Sequence, residues 1–210
     1  MFSSLEKIWA GQTLLRVLMN CGLRSETIRG VVIDIGGGRT PDYFTYLKRE
    51  QVTSITPIDA SISRIDFEQD PLPFADSHAD TVMCVNVLEH IYHHQFLLGE
   101  MRRILRPGGA LIGFVPFLIQ YHPDPHDYFR YTREALEKLL AETGFTEVRV
   151  RTVGGGPFAA NFNNIVLSVP RIARVSLFPF YYGLDRLMLW LRPGVRERYP
   201  LGYLFTARHS

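Results

Sequence analysis

Apolar residues change their spacing several times along this chain, and the changes predict strands alternating with helices. MFSSLEKIWAGQTLLRVL interrupts its apolar positions with Glu6, Lys7, Gln12 and Arg16, which predicts an amphipathic N-terminal helical segment within residues 1–30. From Val31 the pattern turns strand-like. VVID at 31–34 is a short apolar run ending in an acid and followed by glycines at 36, 37 and 38, as for a buried parallel strand entering a tight turn. DYFTYLKRE at 42–50 has helical spacing, with Pro41 at its front where a missing N–H costs nothing. VTSITPID at 52–59 predicts a second strand, DTVMCVNVL at 80–88 a third, HQFLLGEMRRIL at 94–105 a helix, RPGG at 106–109 a turn and ALIGFVPF at 110–117 a fourth strand. Further on, TREALEKLLAETGF at 132–145 predicts a capped helix stopped by Gly144, and TEVRVRTV at 146–153 and LGYLFTARH at 201–209 predict two more strands.

Alternating β and α elements with apolar strands predict an α/β fold: a doubly wound, Rossmann-like, mostly parallel sheet with helices on both faces. A chain of 210 residues with 46% hydrophobic residues suits a single domain over 1–210. Ligands of such sheets bind at the carboxyl ends of the strands.

Composition narrows the function classes. A formal net charge of +2 gives no field strong enough to make nucleic acid the expected partner. The charge is uneven, because residues 162–210 carry seven arginines against Asp185 and Glu197. Two cysteines, Cys21 and Cys84, suit neither a disulfide framework nor a structural zinc site. A reducing compartment follows, and the interrupted N-terminus lacks the apolar core of a signal peptide, so the expected location is cytoplasmic. Residues 162–192 are apolar but hold Arg171, Arg174, Arg186 and Arg192, leaving no uncharged stretch of the roughly 18 residues that a membrane-spanning helix needs. Two readings stand for this segment. It is a crossover and lid covering the core, or an interfacial surface making peripheral membrane contact.

The chemistry concentrates at 31–42, VVIDIGGGRTPD. Glycines directly after a buried strand let the backbone approach a ligand and aim its N–H groups at it. A dinucleotide fingerprint GxGxxG starting at Gly36 would need glycine at position 41, where Pro41 stands. Asp59 closes the second strand, 23 residues beyond Gly36, where a carboxylate can accept from both hydroxyls of a ribose.

The stretch resembles the first motif of class I S-adenosylmethionine-dependent methyltransferases, an acid at a strand end followed by GxGxG, with Thr40 in place of the last glycine. SRIDFEQDPLPFADSHADTVMCVNVLEHI at 63–91 and LRPGGALI at 105–112 resemble the branch called methyltransferase type 11. The resemblance covers about residues 30–150. It implies that Gly36, Gly37 and Gly38 pass beneath the methionine part of S-adenosylmethionine and that Asp34 faces its ammonium group directly or through water. It also implies that Asp66 accepts from the adenine amino group, that the Phe67 backbone meets the ring edge, and that Asn86 and Val87 line the cofactor beside the methyl. Only six residues separate Asp59 from Asp66, too few for the usual helix and strand, so the sheet is expected to be shortened at the edge after the second strand.

YHPDPHDYFRYT at 121–132 resembles segments of the same branch and is expected above the cofactor. His122 and His126 are the candidate bases there because imidazole titrates near neutrality, and Asp127 is a candidate to orient one of them. A purely structural loop capping the next helix at Thr132 is the other reading of this segment. Two sets, His122 with Asp124 and His126, or Glu89 with His90 and His94, could bind a metal; neither carries a recognised ligand motif, and no metal is expected. The implied function is methyl transfer from S-adenosylmethionine to a small-molecule, saccharide or lipid-like acceptor. The rivals are a nicotinamide-dependent reductase, for which no Tyr-xxx-Lys pair is evident, and a non-catalytic Rossmann-like binding module.

Overall fold

The computed structural model describes residues 2–38, 41–59 and 64–210; Thr40 and most of the link between Asp59 and Asp66 lie outside them. Its elements, in chain order, are helices α1 (Phe2–Trp9) and α2 (Leu14–Leu23), strand β1 (Thr27–Ile35), strand β2 (Lys48–Ile58), strand β3 (Ala79–Val85), helix α3 (His94–Ile104), strand β4 (Leu105–Pro116), helix α4 (Arg133–Glu142), strand β5 (Phe145–Val153), helices α5 (Pro157–Ile165) and α6 (Arg171–Leu191), and strand β6 (Gly202–His209). Six strands form one sheet in the order β2-β1-β3-β4-β6-β5. β1 to β4 are parallel, and β6 runs antiparallel between β4 and β5.

Alternation along the strands explains why helices cover both faces. Ile33 and Ile35 of β1, Val82 and Cys84 of β3, and Leu111 and Val115 of β4 point to one face, where they pack with Leu97, Leu98 and Met101 of α3 and Leu136, Leu139 and Leu140 of α4. Their neighbours Val32, Met83, Val85, Ile112 and Phe114 point to the other, against Met19 and Leu23 of α2. A strand buried on both sides has no polar position to spare, and the uninterrupted apolar runs of β1 and β3 are the sequence trace of that.

At the short edge, β2 is the outermost strand and is largely exposed, carrying Lys48, Arg49 and Glu50 at its start. Charges of this kind discourage further pairing on an open edge. The expected shortening of the sheet after its second strand agrees with this order.

Three local expectations need correction. Residues 42–50 do not form a helix: only Asp42–Thr45 make a single 3-10 turn, and Lys48 already pairs with Thr27. β1 begins at Thr27, four residues before the apolar run, so its partner must begin early too, and sheet pairing overrides the helical preference of LKRE. Likewise the N-terminal helical segment ends at Leu23, and RPGG at 106–109 is drawn into β4, with a register shift against β3 at Ala79/Thr81. The helix start at 132 is as expected, with the Thr132 hydroxyl accepting from Ala135 N at 3.2 Å and Gly144 at φ +88° behind its end.

The apolar segment 162–192 resolves into the end of α5 and all of α6, which pack with Ile8 and Leu14 of the N-terminal helices in a separate apolar cluster. Asp185 of α6 accepts from the backbone N–H groups of Phe158 at 3.0 Å and Ala159 at 2.7 Å, capping α5 from a neighbouring helix. Among the described residues no helix is long and apolar enough to cross a membrane.

Candidate active site

β1 delivers its carboxyl end between those of β2 and β3, one strand in from the edge of the sheet. Gly36 N donates to Ile58 O at 2.6 Å, so the glycine turn is tied to the end of β2, one residue before the half-buried Asp59. Gly36 (φ +74°) and Gly38 (φ +65°) both take left-handed backbone. A Cβ at Gly36 would lie 2.4 Å from Val87 Cγ2, whereas one at Gly38 would meet nothing within 4 Å among the described residues. The turn therefore packs tightly on Val87 at its start and opens to a cleft beyond.

That cleft, about 470 Å³, is lined by Arg16, Gly36, Gly37, Pro41, Asp42, Tyr43, Val85 and Asn86. Asn86 holds a left-handed conformation (φ +55°) that suits its short polar side chain, and its N–H donates to Phe114 O at 2.9 Å. The predicted glycines and Asn86 are thus brought together at one mouth, with Val87 buried against them. The residues fit a nucleoside-type ligand on one observation above all. Left-handed glycine backbone borders open space at a strand end, where any side chain at Gly36 would collide.

Asp34 sits below this surface. It is 0% exposed, and its carboxylate lies within 2.6 and 2.7 Å of the Tyr43 hydroxyl, which donates to it. Burial pushes its pKa up to about 7 against the opposing effect of that hydrogen bond. A Cβ at Gly37 would fall 1.7 Å from Asp34 Oδ2, so the second glycine is required by the acid beneath it. Asp34 in this geometry supports the loop from below. Tyr43 and Arg16 are the cleft residues that sequence reasoning missed. Tyr43 was masked by the helix expected over 42–50, and Arg16, paired with Asp42, comes from a helix far away in the sequence.

On the other side of the site, Asp66 is exposed and folds back on its own turn, Oδ1 accepting from Glu68 N and Oδ2 from Gln69 Nε2, each at 2.9 Å. The Phe67 side chain is buried in the core next to it. The structure places both beyond β2, and neither borders the cleft at the glycine turn.

Glu89, His90 and His122 form a second cluster, three residues past Asn86. Glu89 is 0% exposed, neither of its side-chain oxygens has a hydrogen-bond partner among the described residues, and burial pushes its pKa up to about 8. His122 and Asp127 meet as expected: Asp127 Oδ2 accepts from His122 N at 2.9 Å and lies 3.4 Å from its Nδ1. Arg130 grips both oxygens of Asp127 and holds its carboxyl well below the usual carboxylate range, while burial lowers His122. His126 is not part of this group through its ring. That ring is exposed and packs on Tyr128 at 5.1 Å between centroids, and only the His126 carbonyl reaches the cluster, accepting from His90 Nδ1. His94 is turned away against Phe129 and Tyr131.

Parts of the chain are similar to known methyltransferases. Residues 33–113 match the family model described as a methyltransferase domain, from the last three residues of β1 to Gly113 in β4. The ubiquinone/menaquinone biosynthesis C-methyltransferase UbiE of Bordetella avium is 27% identical over 130 residues, covering 53% of this chain and 48% of that protein. The chain spans about half the length of the curated relatives it matches. Among solved structures, a SAM-dependent methyltransferase from Archaeoglobus fulgidus superposes with a TM-score of 0.55 at 16% identity, covering 92% of this chain and 94% of that one. The [4+2]-cyclase SpnF superposes with a TM-score of 0.56 at 15% identity, covering 92% and 80%. The fold is a Rossmann-like fold shared with these neighbours, and the cyclase among them shows that the fold serves other reactions as well.

Proposed function

We propose that the chain binds S-adenosylmethionine at the glycine turn and transfers its methyl group to a small, apolar acceptor. The observation that carries this is the glycine turn itself: Gly36 and Gly38 in left-handed backbone, at the carboxyl end of a central strand inside the stretch that matches the methyltransferase domain. When bound, S-adenosylmethionine supplies a methyl on a sulfonium, which an in-line displacement moves to the acceptor. Gly36, Gly37 and Gly38 would carry the methionine part, with Asp34 beneath them. Asp59 would accept from the ribose hydroxyls, Asp66 and the Phe67 backbone would bound the adenine, and Asn86 and Val87 would lie beside the methyl.

Positioning and exclusion of water are the main tasks of the protein in such a displacement. A base is needed only for a hydroxyl or protonated-amine acceptor, and the exposed ring of His126 is the candidate for that role. Support for an apolar acceptor comes from the name of the UbiE relative, a quinone-biosynthesis enzyme, and from the exposed Ile172, Phe180, Leu187 and Trp190 on α6, which would also suit peripheral contact with a membrane surface. Saccharide acceptors have less support.

The division of roles is testable with two variants. Asp59→Ala should weaken S-adenosylmethionine binding about tenfold or more, as expected for loss of charge-assisted hydrogen bonds. His126→Ala should leave that affinity within about twofold and slow turnover of a hydroxyl acceptor. Titration calorimetry on both variants checks this, and equal losses of affinity would contradict the assignment.

A further inference from the structure

The cluster at the end of β3 has the chemistry of a metal site rather than of an acid–base pair. Glu89 Oε1 lies 3.7 Å from His90 Nε2 and 4.0 Å from His122 Nε2, and one ligand atom from each of the three residues falls within 4.8 Å of the others. Metal bonds of about 2.0–2.1 Å at tetrahedral angles put ligand atoms about 3.3 Å apart, so the three must draw together to share an ion, the widest pair by up to about 1.5 Å.

Two features go beyond proximity. The first is Glu89, a fully buried carboxylate whose oxygens have no hydrogen-bond partner among the described residues and whose Oε1 faces the two imidazoles. Such a group is costly to bury unless a cation or a hydrogen-bond donor meets it. The second is the way both rings are held. His90 Nδ1 is at 2.5 Å from His126 O, an acceptor only, so this nitrogen carries the proton and Nε2 turns its lone pair towards Glu89. His122 has Nδ1 at 3.4 Å from Asp127 Oδ2 and 3.5 Å from Arg130 Nη2, and Asp127 is anchored by Arg130 and by His122 N. Held through its backbone N–H by Asp127 and bordered at Nδ1 by Arg130, the ring keeps Nε2 4.0 Å from Glu89 Oε1. A carbonyl or carboxylate behind the outer nitrogen is what orients a metal-ligating histidine.

We propose that Glu89, His90 and His122 bind one divalent first-row transition cation, Zn²⁺ in the first instance, through Glu89 Oε1 and the Nε2 atoms of both histidines. Imidazole and carboxylate donors together select this class over Mg²⁺ or Ca²⁺, which prefer all-oxygen sites. Three protein ligands leave at least one coordination position for water or for an acceptor oxygen. In the chain the site begins two residues past Val87. Asp127 is a positioning residue that acts through His122. The inference does not depend on S-adenosylmethionine binding, since the metal can be read alone.

The test uses the full chain stripped with a chelator and titrated with Co²⁺, whose visible absorption reports its ligands, and with Zn²⁺ in competition. The expected result is one Co²⁺ per chain, displaced by Zn²⁺, with Zn²⁺ raising the melting temperature. Glu89→Gln, close in shape to the original, and His122→Ala should each weaken Co²⁺ binding at least about a hundredfold, Asp127→Asn about ten- to a hundredfold, and the exposed His93→Ala not at all. Absence of binding below millimolar Co²⁺, or binding that survives both Glu89→Gln and His122→Ala in folded protein, would overturn the proposal.

Discussion

Substituting Gly37 with alanine is expected to cost about 3 kcal/mol of stability and to abolish measurable binding at the glycine turn, the typical scale of forcing a methyl into filled space. The new Cβ would fall 1.7 Å from Asp34 Oδ2 and 2.6 Å from the Tyr43 hydroxyl. Neither can yield cheaply: Asp34 is sealed in the core and its hydrogen bond to Tyr43 compensates its burial. Moving the acid breaks that bond, and moving the loop closes the cleft. Chemical denaturation of Gly37→Ala, alone and with Asp34→Ala, checks the cause. The alanine should cost much less once the carboxylate is gone, a coupling of the kind expected for touching residues, whereas equal costs in both backgrounds would place the clash elsewhere.

Between about pH 4 and pH 7, wild type should lose roughly 4 kcal/mol of stability relative to Asp34→Asn, from about 1.4 kcal/mol for each unit of pKa shift. The folded-state pKa of Asp34 is raised from 3.8 to about 7, chiefly by burial, with the Tyr43 hydroxyl donating to it and Cys84 buried nearby on β3. The folded chain holds the proton over this window while the unfolded chain releases it. Stability from this group is therefore fully present below the unfolded value and is lost as the pH rises through the folded one. Asparagine does not titrate, so the difference between the two proteins isolates Asp34 from other carboxylates such as Asp127, whose shifts run the other way. Urea midpoints at several pH values measure it, and a flat difference would contradict the buried, protonated state.

Much of the fold was legible because strands buried on both faces leave long apolar runs, as at β1, β3 and β4, and because Thr132 and Gly144 mark helix ends by local chemistry. The region after the glycine turn was not. DYFTYLKRE has helical spacing, but its fate was decided by the pairing of Thr27 with Lys48, a contact that no local pattern encodes. The antiparallel insertion of β6 between β4 and β5 is non-local in the same way. At the site, the glycine turn was readable from its motif, Asn86 from the family resemblance, and Asp127 as a residue able to orient either His122 or His126. Arg16 and Tyr43 were not, since one comes from an N-terminal helix and the other from the misread turn. The grouping of Glu89 and His90 with His122 rather than His94 depended on where the 121–132 loop lands, which sequence spacing does not fix.

Calorimetric titration of the purified chain with S-adenosylmethionine, S-adenosylhomocysteine and NAD most directly tests whether the bend after β1 is an adenosyl-sulfonium site. The predicted result is a single site per chain for both sulfur nucleosides, lost in Gly36→Val, with no heat from NAD. Binding of NAD alone, or of none of the three to folded protein, would contradict it.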